Sequence, residues 1–179
     1  MAFPFKFPVS TCSSVKRAFS NNIFKSKTIS LKLKVRTFNI YVACIFLYNS
    51  ETWGITKTME ESIDAFQRRL LRYAINVRWP NKISNKNLIE TTNAEPWSQT
   101  IRRRRMKFLG HVMRLDENTP VRRAIDEAFK INKNKVGRPY HTWLHTIQND
   151  LKLINIDITR NNPNPIRTLL EITQDMDGD

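Results

Sequence analysis

Residues 100–115 constrain this chain more than any other stretch. Four consecutive arginines, Arg102, Arg103, Arg104 and Arg105, sit there inside an apolar pattern spaced for a helix. Ile101, Phe108, Val112 and Leu115 recur on one stripe of a 3.6-residue cylinder, while Arg103, Lys107 and Arg114 fall on a different side. A helix of this layout buries one face and offers cations on another. Gly110 lies between the cations and costs about 1 kcal/mol against alanine. That cost is tolerable where another backbone, a phosphate strand or a neighbouring helix, has to come close. The bland alternative is a solvated charged face. Four adjacent like charges weigh against it, because they repel one another unless a polyanion neutralises them.

The rest of the composition points the same way. The chain has 179 residues, the length of one domain or of a small domain with tails. Ten phenylalanines and four tryptophans within 40% apolar residues can form a core, and four glycines disfavour a turn-rich all-β fold. Thirty basic residues against 16 acidic ones leave a formal charge of +14, which bears on partners rather than fold. Residues 1–50 hold eight basic residues and no acid, and residues 101–148 hold twelve basic against four acidic. The segment 149–179 is net acidic. Such a balance fits nucleic acid or an anionic surface.

Several classes are disfavoured. Cys12 and Cys44 supply neither a disulfide framework nor a zinc pattern, which fits a reducing compartment. The longest apolar run, residues 40–48, is too short to span a bilayer, so no membrane association is expected. Residues 1–10 lack the continuous apolar core of a secretory signal. The acid-poor, serine-containing N-terminus shares features with a mitochondrial presequence but carries little arginine.

Periodicity organises the chain as helices. Residues 1–27 show no period and are expected to be an irregular basic segment. Ser30 can cap a helix in which Leu33, Thr37, Ile40, Tyr41, Cys44, Leu47 and Tyr48 recur. β-Branched residues there also permit a strand, but the period holds for four turns and favours helix. Thr58 and Glu61 have the spacing of a capping box ahead of the stripe Met59, Ile63, Phe66, Leu70, Ala74 and Val77. Arg68, Arg69 and Arg72 occupy the opposite face, and Pro80 is expected to end the helix. Trp79 reads as a core edge rather than a base-stacking platform. A short helix is predicted over 85–91, a turn over 116–119, and a Thr119–Pro120 start to a helix through Val121, Ile125, Ala128 and Phe129. Residues 130–138 form a basic linker in which Arg138, within Gly137-Arg138-Pro139, is a candidate phosphate contact. Trp143, Ile147, Leu151 and Ile154 predict a last helix, and residues 156–179 a linker and acidic tail.

Catalytic and metal constellations are sparse. His141 and His145 share the spacing of two zinc ligands, but the glutamate of a zinc-protease motif and a third ligand are missing. Asp175 and Asp177 lie close to the acidic end of the sequence without a strand to fix them. His111, ahead of Val112, reads as a packing or phosphate-adjacent histidine. No glycine-rich phosphate loop and no nucleophile with its base stand out. No cofactor is therefore expected in this chain.

A family pattern runs through these residues. Leu47-Tyr48-Asn49-Ser50-Glu51-Thr52-Trp53 resembles the Leu-Tyr-Gly-Ser-Glu-Thr-Trp segment of reverse transcriptases from non-LTR retrotransposons. The resemblance continues through Phe66-Gln67-Arg68-Arg69-Leu70-Leu71-Arg72 and Val77-Arg78-Trp79-Pro80. It extends from Ile101-Arg102-Arg103-Arg104-Arg105 through Phe108-Leu109-Gly110-His111-Val112-Met113-Arg114, and closes with Val136-Gly137-Arg138-Pro139, Trp143 and Asp150-Leu151. It covers roughly residues 25–155, and its motifs are specific jointly rather than singly. Asn49 replaces the usual Gly and Val136 a usual Arg.

The resemblance implies a helical thumb and adjoining C-terminal region that grips template–primer beside a polymerase palm. The family's catalytic aspartates and its Mg²⁺ belong to that palm, and nothing in this sequence matches them or the family's endonuclease. The chain thus looks like a C-terminal fragment of a retrotransposon reading frame or a gene derived from one, inactive as a polymerase by itself. The expectation is a mainly α protein, a small thumb-like helical bundle over residues 28–155 with poorly ordered ends. It would bind RNA, DNA or an RNA–DNA hybrid through phosphates, with a separate palm as a further partner, in the nucleus or cytoplasm. The expected contacts are Arg102, Arg103, Arg104, Arg105, Lys107 and Arg114, helped by Arg68, Arg72 and Arg138. A basic mitochondrial or ribosome-associated protein, and a non-functional remnant, are the alternatives.

Overall fold

The computed structural model describes Phe24, Ser26 and residues 28–77, 80–130 and 142–153, with backbone alone at 129 and 130. Residues 1–23, 131–141 and 154–179, and with them the expected irregular ends and the basic linker, lie outside the described residues, as do Arg78 and Trp79. What is described is mainly α-helical, without a strand. The helices are α1 (Leu31–Thr37), α2 (Cys44–Phe46), α3 (Lys57–Ala74), α4 (Asn85–Thr92), α5 (Trp97–Met113), α6 (Pro120–Lys130) and α7 (Trp143–Leu153). The sequence reading treats residues 28–155 as one region. The described residues pack as two compact units, the first built from those up to Asn49 with Lys57–Thr100, the second from Ser50–Thr56 with those from Ile101 onward.

In the first unit, Ser30 caps α1 as its sequence position suggests, its Oγ accepting from the Leu33 amide. Beyond α1, the buried side of the chain is not the one the 3.6 period marks. Phe38, Val42 and Phe46, off that stripe, are buried, whereas Ile40, Tyr41 and Tyr48, on it, are exposed and Leu47 is its buried member. The reason lies between α1 and α2, where Phe38–Ala43 is π-helical. Bonding from i to i+5 underwinds the helix, so residues four apart stay on one face. Phe38 and Phe46 then both reach the Trp97 ring, with centroids 5.8 and 4.5 Å away and planes 7° and 20° apart. Phe66 packs on Phe46 at 5.2 Å. These stacked rings are the core of the unit, reinforced by Ile63, Leu71, Ala74 and Leu88.

α3 starts at Lys57, so Thr58 lies within its first turn rather than ahead of it. It also ends earlier than Pro80 would impose. Asn76 adopts φ 60, its amide donates to Tyr73 O, and the Val77 amide donates to Arg72 O. This is the Schellman closure, with asparagine in the left-handed position. α4 runs where a short helix is predicted, begins at a Ser84 cap and also ends in a left-handed asparagine, Asn93.

The second unit centres on α5, α6 and α7. Met106, Leu109, Val112, Met113, Ile125, Ile147 and Leu151 form its apolar cluster, with Phe108, Leu115 and Trp143 against it. Thr119 and Pro120 start α6 as expected, and the Asp116 carboxylate closes the preceding turn by accepting from the Asn118 amide. The remaining piece is the short segment Ser50–Thr56, a 3₁₀ turn over Ser50–Thr52 that continues as extended chain. It runs close to the start of α7. A Cβ on Gly54 would meet the Trp143 backbone nitrogen at 3.1 Å, so any other residue would push the two backbones apart by a few tenths of an ångström.

Candidate nucleic-acid interface

α5 is anchored at both ends by side chains from elsewhere. At its start, in the first unit, Gln67 Oε1 accepts from the Trp97 amide at 2.9 Å while Gln67 Nε2 donates to Glu95 O. Asp64 accepts from the Ser98 amide at 2.9 Å and from the Ser98 hydroxyl at 2.7 Å. Two of the amides that a helix leaves unpaired are thus satisfied by α3, one of them by a carboxylate that suits the positive end of the helix. At the far end, in the second unit, Arg122 turns inward. Its Nη1 donates to Met113 O, and its Nε donates to Asp126 at 3.0 Å.

Between these anchors the basic residues separate into two sets. Arg103, Lys107, His111 and Arg114 are all exposed. Their spacing of four, four and three keeps them within about 80° of the helix circumference and along about 16 Å of its axis. Lys107 makes no hydrogen bond or ion pair among the described residues. The result is a narrow row of three cations and a histidine on the side of α5 away from its apolar cluster. His111 lies in the row and is exposed, so it does not take the packing role that was one of its two sequence readings.

Arg105 faces the other way and is a correction to the sequence reading. It is completely buried and cannot meet a phosphate on the surface. Its Nε donates to Asp150 Oδ2 at 2.8 Å and its Nη1 to Trp53 O at 3.2 Å. Nη2 lies 2.5 Å from Asp150 Oδ2 as a Coulombic contact without hydrogen-bond geometry. Arg102 joins the same carboxylate, Nε to Oδ1 at 3.1 Å, and keeps 29% of its side chain exposed. Arg104 is half-buried. The signal for Arg105 was in the sequence: it lies four residues after Ile101 and seven before Val112, on the apolar stripe itself.

The extended segment Ser50–Thr56 is held by these inward groups. Trp143 Nε1 donates to Glu51 O at 2.7 Å, Arg105 to Trp53 O, and Thr146 Oγ1 to Ile55 O at 3.4 Å. Three alternate carbonyls of a segment without sheet partners are thereby satisfied by side chains. Residues far apart in sequence, Glu51, Trp53, Arg105, Trp143 and Asp150, therefore meet at one place in the second unit.

In the first unit, Arg68 and Arg69 lie on α3, half-buried and exposed respectively. Arg72 is held, its Nη2 donating to Asn85 Oδ1 at 2.6 Å and to Ile83 O at 3.4 Å. Arg138 lies outside the described residues. Of the histidine pair, His145 is exposed and His141 lies outside the described residues, as do Asp175 and Asp177. Among the described residues, no three His, Cys, Asp or Glu side chains come together as a metal site, and no helix is long and apolar enough to cross a membrane.

No protein-family model matches this chain, and neither a curated protein nor a solved structure does. The functional reading therefore rests on the residues themselves.

Proposed function

We propose that this chain is a nucleic-acid grip, thumb-like in the manner of non-LTR reverse transcriptases, that holds an RNA–DNA hybrid by its phosphates while catalysis resides in a separate palm. The observation that carries the reading is the exposed row Arg103, Lys107, His111 and Arg114 on an anchored helix. Cations repeating every turn or so along a rigid rod can follow a phosphate backbone without reading bases.

Two further observations support the family part of the reading. Motif positions scattered from Glu51 to Asp150 converge on one knot, which gives them a shared structural reason to occur together. Asn49, which stands where the family pattern has glycine, adopts φ 55. That backbone conformation is the one glycine tolerates best and asparagine next. Metal-dependent phosphoryl chemistry would belong to the palm, and none of the described residues is assigned to it.

The test is equilibrium binding of a short RNA–DNA hybrid by the whole chain. Replacing Arg103, Lys107 and Arg114 together by Gln is expected to weaken binding by at least about tenfold. Unchanged affinity in that variant, with its helix content intact by circular dichroism, would overturn the assignment.

A further inference from the structure

A groove in the first unit gathers Arg68 and Arg72, which the sequence suggests as helpers of the backbone grip, into a cleft that a passing strand does not require. Arg68, Arg69 and Arg72 on α3 line an open cleft of about 500 Å³, with Tyr73, Val77 and Asn85 completing its walls. Among the described residues, no acidic side chain lines it. The guanidiniums of Arg68 and Arg72, one helical turn apart, repel one another, and a bound anion relieves that repulsion. The cleft is also partly preorganised. Asn85 and the Ile83 carbonyl fix Arg72, so little side-chain freedom is lost when an anion arrives. Arg68 makes no hydrogen bond or ion pair among the described residues.

The other walls indicate what the anion is attached to. The Tyr73 ring is half-buried at the cleft, and Val77 adds an apolar surface, so a flat ring has a place to lie. Because Asn85 Oδ1 accepts from Arg72, the orientation of its amide is set and Nδ2 is left as a donor. A nucleobase offers ring nitrogens or carbonyls to such a donor; a plain phenyl ring does not. A cleft of this size lies within the range of about 300–1,000 Å³ usual for small-ligand sites.

We propose that this cleft binds a nucleotide 5′-phosphate, with the phosphate between Arg68 and Arg72 and the base against Tyr73. A monoester phosphate carries more charge than a backbone diester, which is what clustered arginines favour over a strand passing by. The inference is independent of the cation row on α5, because none of its residues lies on that helix. The nucleotide is either free or the 5′ end of a strand, and the two sources share this chemistry.

Isothermal titration of the whole chain with 5′-AMP, adenosine, inorganic phosphate and phosphotyrosine tests it. AMP is expected to bind about tenfold or more tighter than each of the other three. Arg68→Gln should weaken AMP by a similar factor, and Tyr73→Ala should reduce AMP to the level of inorganic phosphate. The triple Gln variant of Arg103, Lys107 and Arg114 should leave AMP binding unchanged, whether or not it still binds a hybrid. A single-stranded oligonucleotide compared with and without its 5′-phosphate separates the sources. A preference for the phosphorylated end that Arg68→Gln abolishes assigns a strand end, and AMP binding without such a preference assigns a free nucleotide. No binding of AMP, equal binding of phosphotyrosine, or AMP binding indifferent to Arg68→Gln would overturn the proposal.

Discussion

Arg105 and Asp150 show how far a single residue can depart from what its neighbours suggest. Within a run of four arginines, one is completely buried against a carboxylate and a backbone carbonyl. A buried ion pair is weak evidence of net stabilisation, but breaking it leaves a desolvated charge without its partner. Asp150→Asn is therefore expected to lower unfolding stability by about 3–5 kcal/mol, measured by urea denaturation monitored by circular dichroism. A variant that exchanges both partners for apolar residues of similar volume should lose much less. Asn49 gives a second prediction of opposite sign. At φ 55 it sits where side chains with a Cβ are strained, so Asn49→Gly should hold or raise stability, and Asn49→Val should lower it by about 1–2 kcal/mol in the same assay.

Elements were legible to the extent that one rule governed them. α4, α5, α6 and α7 stand where caps, turn residues and 3.6-residue spacing predict helices. The faces were less legible. Along the π-helical stretch Phe38–Ala43 and just beyond it the buried side is Phe38, Val42 and Phe46 rather than Ile40 and Tyr41, and nothing in a 3.6 period announces underwinding. Likewise the closure of α3 by Asn76 depends on a tolerance for positive φ that competes with the later, more conspicuous Pro80. The anchoring of α5 was invisible for a different reason. Asp64 is thirty-four residues from Ser98 in the chain, so its capping role exists only after α3 and α5 have packed. Replacing Asp64 by Ala should cost about 1 kcal/mol, the usual worth of a lost N-terminal cap, in chemical denaturation.

At the scale of the molecule, the excess of 30 basic over 16 acidic residues is real but unevenly available. Arg105 and Arg122 spend their charge inside the second unit, and Arg102 shares Asp150. What remains outward on α5 is Arg103, Lys107, His111 and Arg114. The sequence showed that cations were clustered there, and its apolar stripe marked Arg105 as inward, but the partners that take up its charge, Asp150 and Trp53, are brought together only by the fold. A backbone grip makes a quantitative demand on the outward set, because each neutralised phosphate releases counterions. The deciding measurement is the affinity for an RNA–DNA hybrid across a range of salt concentrations, for the wild-type chain and for the chain with Arg103, Lys107 and Arg114 changed to Gln. The account predicts a steep fall of log affinity with log salt in the wild type and a slope smaller by about 2–3 in the variant. Equal slopes in the two proteins would contradict it.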